Sequence, residues 1–490
     1  MKHRIVVLSV VSFLTSCDAH AQSAVKYQLR YDMSGDVSVK LAIVLPEAAK
    51  APVTLVMPRT YPGGYEQVPY DAYVDKIEAF SPEGKAVTVN REPDGPRWGV
   101  GHVGETVGRI VYQVNVDRME EKITSAEETS KMRKGYLGLL GYSVFAYLDG
   151  FEDRKIELQI SAPAAWPIVA TLGPQVPTPT TSAKVEAPDY YALADSEVLM
   201  GPELKVRRIE GKIPLILAVY AEGEEDVDLE GKIAREALDR VQSYFGDVPF
   251  RQYTAQLEFL RQLPGHEYNF SQEHLDSGTF SLSVDHALTA QSSDNRREEN
   301  LFNYAHHMAH CWIPKRAYGV GYRPFTWEMA PVMDTIWFNE GFGRYAAIEA
   351  ITEGFPSAEG AAFRESQLSR LRKVLEEAPR FIREMPLDVL SREASFLYVV
   401  DFRTGKNSFA RGSLMAAEMD DRIRAKTEQK KSLRDGLRAV LTWSAKNQRA
   451  FQVEELGDIL SESTGVDVRD ILERWSKAPR STQQPQRLSK

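Results

Sequence analysis

His306 and His310, with a glutamate thirty residues further on at Glu340, are the residues of this 490-residue chain best suited to chemistry. Imidazoles four apart on an α-helix project from one face about one turn apart, the spacing two nitrogens need to share one metal ion. A carboxylate from a second helix would complete a His₂Glu zinc site and leave one position open for water or substrate. The first stretch reads His306-His307-Met308-Ala309-His310, and the second Trp337-Phe338-Asn339-Glu340-Gly341. In the zinc-hydrolase pattern His-Glu-x-x-His, the residue after the first histidine is the general base. Here it is His307. The ligands are expected to be kept and the usual base replaced.

A His-x-x-x-His pair also occurs on helices that bind no metal, so its neighbours matter. Asn300, Asn303 and Tyr304 lie among Leu301, Phe302, Ala305, Met308, Ala309 and Trp312, the pattern of a buried helix carrying polar groups inward. Pro314, Gly319, Gly321 and Pro324 break it into a loop. A second helix is expected from about Asp334 to Glu353, with Glu340 in its early turns beside Trp337, Phe338 and Phe342, which would bury it. Helix geometry turns Cys311 about 100° away from His310, so it reads as a small buried residue rather than a thiolate ligand.

On these residues the chain resembles the glycyl aminopeptidase-type metallopeptidases, secreted relatives of the thermolysin-like gluzincins that usually carry a trailing PDZ domain. Their pattern is His-Glu-x-x-His-x-Trp-x-x-Lys-Arg, a long insertion, then Trp-x-x-Glu-Gly-x-x-x-Tyr. This chain has His306, His307, His310, Trp312, Lys315 and Arg316, then Trp337, Glu340, Gly341 and Tyr345. Met57 to Tyr65 is similar to the family's N-terminal Pro-x-Trp-x-Pro-Gly-x-Tyr segment, with Thr60 where tryptophan is usual. Phe270 to Ser277 aligns with Gly-Gly-Leu-Glu-His-x-x-Ser, so the resemblance implies that Glu273 captures a substrate amino terminus, with Phe270 and Ser271 in place of the glycines. Ser408 to Gly412 aligns with Tyr-Tyr-x-Lys-Gly, which puts Phe409 where a tyrosine would donate to the oxyanion. Arg411, Lys315 and Arg316 stand at matching positions, either as substrate contacts near the cleft or as ion pairs holding helices. The PDZ domain is not expected, since the chain ends where it would begin.

General-base and oxyanion contributions are each worth about two to four powers of ten in rate. The leading expectation is therefore an exported peptidase-family protein that keeps zinc and a cleft, binds peptides or a protein partner, and has little or no standard hydrolysis. The alternative is an active zinc aminopeptidase of altered mechanism, using His307 or a borrowed carboxylate such as Glu328, Asp334 or Glu267. A third reading is a metal-independent polar cluster of His306, His307, His310 and Glu340.

The elements that must position these groups are legible in outline. At 490 residues about three domains are expected. The fold class is α+β. Every-second-residue apolar runs such as Val39-Leu41-Ile43, Val53-Leu55-Met57, Ile110-Tyr112-Val114 and Ile156-Leu158-Ile160 mark an antiparallel, sandwich-like β domain over 25–208. A thermolysin-like zinc domain is expected over 209–354, with the segment from Gly278 to Val284 as the edge strand along which a peptide would lie. A charged helical domain follows over 355–480, then a polar tail over 481–490. Lys2, His3 and Arg4 precede the apolar run from Ile5 to Leu14, a signal segment too short to span a bilayer. Leu14-Thr15-Ser16-Cys17 resembles a lipobox that would acylate Cys17, and Ala19-His20-Ala21 offers a rival cleavage site. Either exit implies a bacterial protein of the periplasm or cell envelope, with membrane attachment only through an N-terminal lipid. The net charge of −9 and the lack of a basic, aromatic-interleaved patch argue against nucleic-acid binding. With Cys17 acylated or removed, Cys311 stands alone, so no internal disulfide is expected.

Overall fold

The computed structural model describes residues 23–32, 38–173 and 178–477. The signal segment, Cys17 and the tail over 481–490 lie outside the described residues. The alternating runs become strands that bury every second side chain: Val39, Leu41 and Ile43 face the core, as do Ile110, Tyr112 and Val114. They build a seven-stranded sheet in the order Thr180–Ala187, Ile156–Trp166, Val25–Arg30, Ser38–Lys50, Thr106–Asn115, Val74–Phe80 and Ala86–Val87. Its neighbours are antiparallel except Val25–Arg30 with Ile156–Trp166, which run parallel. Two four-stranded sheets share its core through Leu55, Val100, Leu137 and Leu139.

A five-stranded sheet follows, in the order Lys205–Ile209, Leu215–Ala221, Tyr253–Leu260, Ser277–Ser283 and Asn269–Glu273. The boundary expected at 208/209 falls inside its first strand, which pairs along its whole length with Leu215–Ala221. The expected edge strand also needs correction. Ser277–Ser283 is interior, paired to Tyr253–Leu260 on one side and to Asn269–Glu273 on the other. The chain reverses through His274, whose amide donates to Ser277 O at 2.9 Å, so the outer strand is the one that carries Glu273.

Helices cover the inner side of this sheet. Asp226 caps Val227–Phe245, whose Ala234, Ala237, Leu238 and Val241 are fully buried. The helices from Ser357 to Ser476 do not form a separate core. Leu215 and Leu257 of the sheet, Met308 of the histidine helix and Met415, Leu437 and Leu460 of the C-terminal helices belong to one continuous apolar cluster. The region therefore folds as one packed body, which fixes the C-terminal helices against the site. Among the described residues no helix is long and apolar enough to cross a membrane.

Candidate metal centre and cleft

The histidine helix is Asp294–His310, opened by Ser293, whose hydroxyl accepts from Arg296 N. Tyr304 anchors it by donating to buried Glu230 at 2.6 Å. Glu340 arrives on a π-helical turn, Trp337–Phe342, that runs into the helix Gly343–Gly354. The regular helix expected from Asp334 thus opens three residues later and wider, as π-turns do where a side chain is aimed inward. The helix Phe402–Lys426 crosses this turn at very short range. A Cβ added at Gly341 would meet Gly412 Cα at 2.5 Å, so the two glycines permit the approach that brings Phe409 to the cleft.

His306 Nε2 and His310 Nε2 lie 3.1 Å apart. Glu340 Oε2 is 3.3 Å from His310 Nε2 and 3.9 Å from His306 Nε2. Donors around a tetrahedral zinc with bonds near 2.0–2.2 Å stand about 3.3 Å apart, so the set fits such an ion without large movement. The partners behind the donors agree. His310 Nδ1 faces Ile313 O at 2.8 Å, which only a protonated nitrogen can satisfy, leaving Nε2 as the nitrogen that could serve an ion. Tyr65 donates to Glu340 Oε1 at 2.6 Å, leaving Oε2 toward the histidines. Burial, followed by the charges of His310 and His307, pushes the His306 imidazole well toward its neutral form. Burial opposes charge on His310 too, but Glu340 and Glu273 outweigh it and raise that imidazole to about 9.

His307 turns to the other side, where its Nδ1 is 3.8 Å from Glu273 Oε2. Burial lowers the His307 pKa. For the Glu273 carboxyl burial acts upward, yet His310, His307 and Lys315 hold it below the usual carboxylate range. His307, Glu273, His306 and Glu340 line one cavity of about 220 Å³, together with Tyr65, Phe270, Ser271, Tyr398, Phe402 and Phe409. A larger cavity of about 1080 Å³ lies near Phe245, Arg323 and Arg438 and contains none of the His/Glu set. The chemistry therefore belongs to the smaller one.

The other expected site residues go elsewhere. Arg411 does not reach the cleft: it donates to Ile382 O, Arg383 O and Met385 O at 2.6–2.8 Å. Its charge caps the carbonyl end of the short helix Arg380–Arg383, which removes it as a substrate contact. Lys315 is buried between Asp195 and Pro62 O, at 3.0 and 2.9 Å, and pins the loop that carries Gly63 and Tyr65. Arg316 donates to Leu275 O and Cys311 O. Glu328 is held by Arg97 and Asp334 by Arg392, each at 2.6 Å, while the backbone of Glu267 bridges to Ser125. None of these three carboxylates lines the cavity. Cys311 is fully buried beneath His274 O.

Six cavity residues escaped the sequence reading: Glu127, Glu128, Asn269, Arg344, Tyr398 and Phe402. Tyr398 stacks on Phe409 with ring centroids 5.8 Å apart, and Arg344 lies over Phe302, which in turn stacks on His306. Glu127 and Glu128 come from a single turn of 3₁₀ helix in the β domain, and burial pushes their carboxyls up to about 7 and about 8. Tyr65 did have a local signal, as the last residue of the Met57–Tyr65 segment.

Residues 26–202 match the peptidase M61 N-terminal domain. Among solved structures, an aminopeptidase N family protein from Idiomarina loihiensis is similar at 18% identity and a TM-score of 0.78, over 93% of this chain and 76% of that one. An M1 zinc metallopeptidase from Deinococcus radiodurans is similar at 14% identity and 0.52, over 93% of both chains. Native yeast LTA4 hydrolase is similar at 13% identity and 0.56, over 95% of this chain and 69% of its own. No curated protein matches. The fold is that of the M1 aminopeptidases and LTA4 hydrolase, and the matched first domain supports a relationship to the metallopeptidase families.

Proposed function

We propose that this is an exported, zinc-binding protein of the metallopeptidase fold that holds a peptide or a protein segment in its cleft and has lost hydrolysis by the standard route. The observation that carries this reading is one cavity lined by the ligand candidates His306 and Glu340 and, facing them, by His307 and Phe409. His306, His310 and Glu340 would hold the ion, which when bound would supply a Lewis acid to polarise a peptide carbonyl. The chain's own groups do the rest. The outer strand Asn269–Glu273 offers backbone donors and acceptors to an extended peptide. Phe270, Phe402 and Phe409 supply apolar walls, and Glu273 supplies buried negative charge for an amino terminus. His307 is largely neutral where a carboxylate would take a proton, and Phe409 has no donor for an oxyanion. On this reading the mature chain begins at an acylated Cys17, which an intact mass would reveal; a start at Gln22 would mean plain secretion.

The test is a glycyl peptide series assayed with the zinc-loaded full chain beside His310→Ala. The expected result is peptide binding that needs His310, with turnover no higher than in the variant. Zinc-dependent cleavage abolished by His310→Ala would overturn the non-hydrolytic part of the proposal.

Two observations favour a second reading, an aminopeptidase of altered mechanism. Glu273 stands behind His307 as a carboxylate stands behind a catalytic imidazole, and Tyr398 offers a phenol beside Phe409. In that case His307→Glu would lower an existing activity rather than raise one.

A further inference from the structure

We propose that Glu273, His307 and His310 form a second metal seat, sharing His310 with the first, so that one ion has two alternative positions in the cleft. Two observations carry it. Each of the three side chains offers a donor atom, and these atoms all lie within 4.8 Å of one another, as do those of His306, His310 and Glu340. Glu273 Oε1 and His307 Nδ1 are buried without a hydrogen-bond partner. Buried polar atoms are almost always paired, so two orphans on neighbouring side chains mark a place where something binds.

The two seats cannot both be filled through His310. Its Nδ1 is committed to Ile313 O, so only one ring nitrogen, Nε2, can serve an ion in the cleft. The arrangement is thus one ion with a choice of ligand sets rather than a two-metal centre, in which the metals stand about 3.5–4 Å apart and each needs its own donors. Seat choice has a functional consequence, because an ion on Glu273 excludes an amino terminus from that carboxylate. The inference rests on the reading that His306, His310 and Glu340 bind zinc.

The experiment is a cobalt(II) titration of the full chain followed by visible absorption, with zinc competition to obtain affinity. Glu340→Gln and His306→Leu each remove a ligand of the first seat alone. Glutamine keeps an acceptor for Tyr65, so the first variant retains its fold, and the second guards against residual amide ligation. Both are expected to bind one cobalt with an altered spectrum, and adding Glu273→Gln to either is expected to abolish binding. His310→Ala is expected to lose both seats. Loss of all metal in Glu340→Gln and in His306→Leu, with native melting curves and a wild-type chain that still binds one ion, would overturn the second seat alone. A wild-type chain that binds no cobalt or zinc would overturn the zinc reading and this inference with it.

Discussion

Tyr65 donates a 2.6 Å hydrogen bond to Glu340 across 275 residues of chain, joining the β domain directly to the third metal-ligand candidate. The phenol occupies Oε1 and so selects Oε2 as the oxygen that faces His306 and His310. Gly63 makes the approach possible. It sits at φ +96° against Gln272 and Glu273, where a side chain would clash and the backbone conformation would be strained. The cleft is therefore assembled from both parts of the molecule.

Tyr65→Phe removes that bond and little else. Partners of this kind are worth roughly 10–100-fold in metal affinity. Zinc affinity, measured by competition with a chromophoric chelator, is expected to fall within that range while the melting temperature changes little. Unchanged affinity would mean that Glu340 is oriented by its helix alone.

Arg411→Met tests the reassignment of that arginine. Three carbonyls lose a charged donor, so stability is expected to fall by about 1–3 kcal/mol, seen as a lower melting temperature. Peptide affinity is expected to be unchanged, because Arg411 caps a helix outside the cavity. Weakened binding in a fully folded variant would return Arg411 to the cleft.

Glu127 and Glu128 give a pH dependence with a definite sign. Burial raises their folded values to about 7 and about 8, against an ordinary value of 4.5. The folded state holds these protons more tightly than the unfolded chain, so their contribution to stability is full below about pH 4.5. It falls as pH rises and is lost by about pH 8. The double variant Glu127→Gln, Glu128→Gln does not titrate. Its melting temperature relative to the parent is expected to be higher at pH 8 than at pH 5, by several degrees. A constant difference across that range would show that the two carboxyls are ionised or hydrated in the fold.

Much of this site was readable from residues because its signals are local. The spacing of His306 and His310 is a helical repeat, and Glu340 among Trp337, Phe338 and Phe342 marks a carboxylate that must be buried. Alternating apolar positions such as Val39, Leu41 and Ile43 likewise give their strands directly. What failed was non-local. Ser277–Ser283 and Asn269–Glu273 are adjacent runs, and only the pairing with Tyr253–Leu260 decides which lies outside. Arg411 shows a charge but not which carbonyls it faces. Glu127, Glu128 and Tyr398 reach the cavity through the packing of separate parts, which no spacing encodes. That Met415 and Leu437 of the C-terminal helices complete a core begun by Leu215 and Leu257 is likewise set by packing rather than by any local pattern.

If the zinc ligands are kept while the standard hydrolytic groups are replaced, restoring those groups restores hydrolysis. The most direct measurement is hydrolysis of a glycyl peptide by the zinc-loaded parent and by the double variant His307→Glu, Phe409→Tyr. The parent is expected to show no turnover above the His310→Ala background, and the double variant a gain of at least about 100-fold over that background. Zinc-dependent turnover in the parent that the double variant reduces would contradict this expectation and make His307 a working catalytic group.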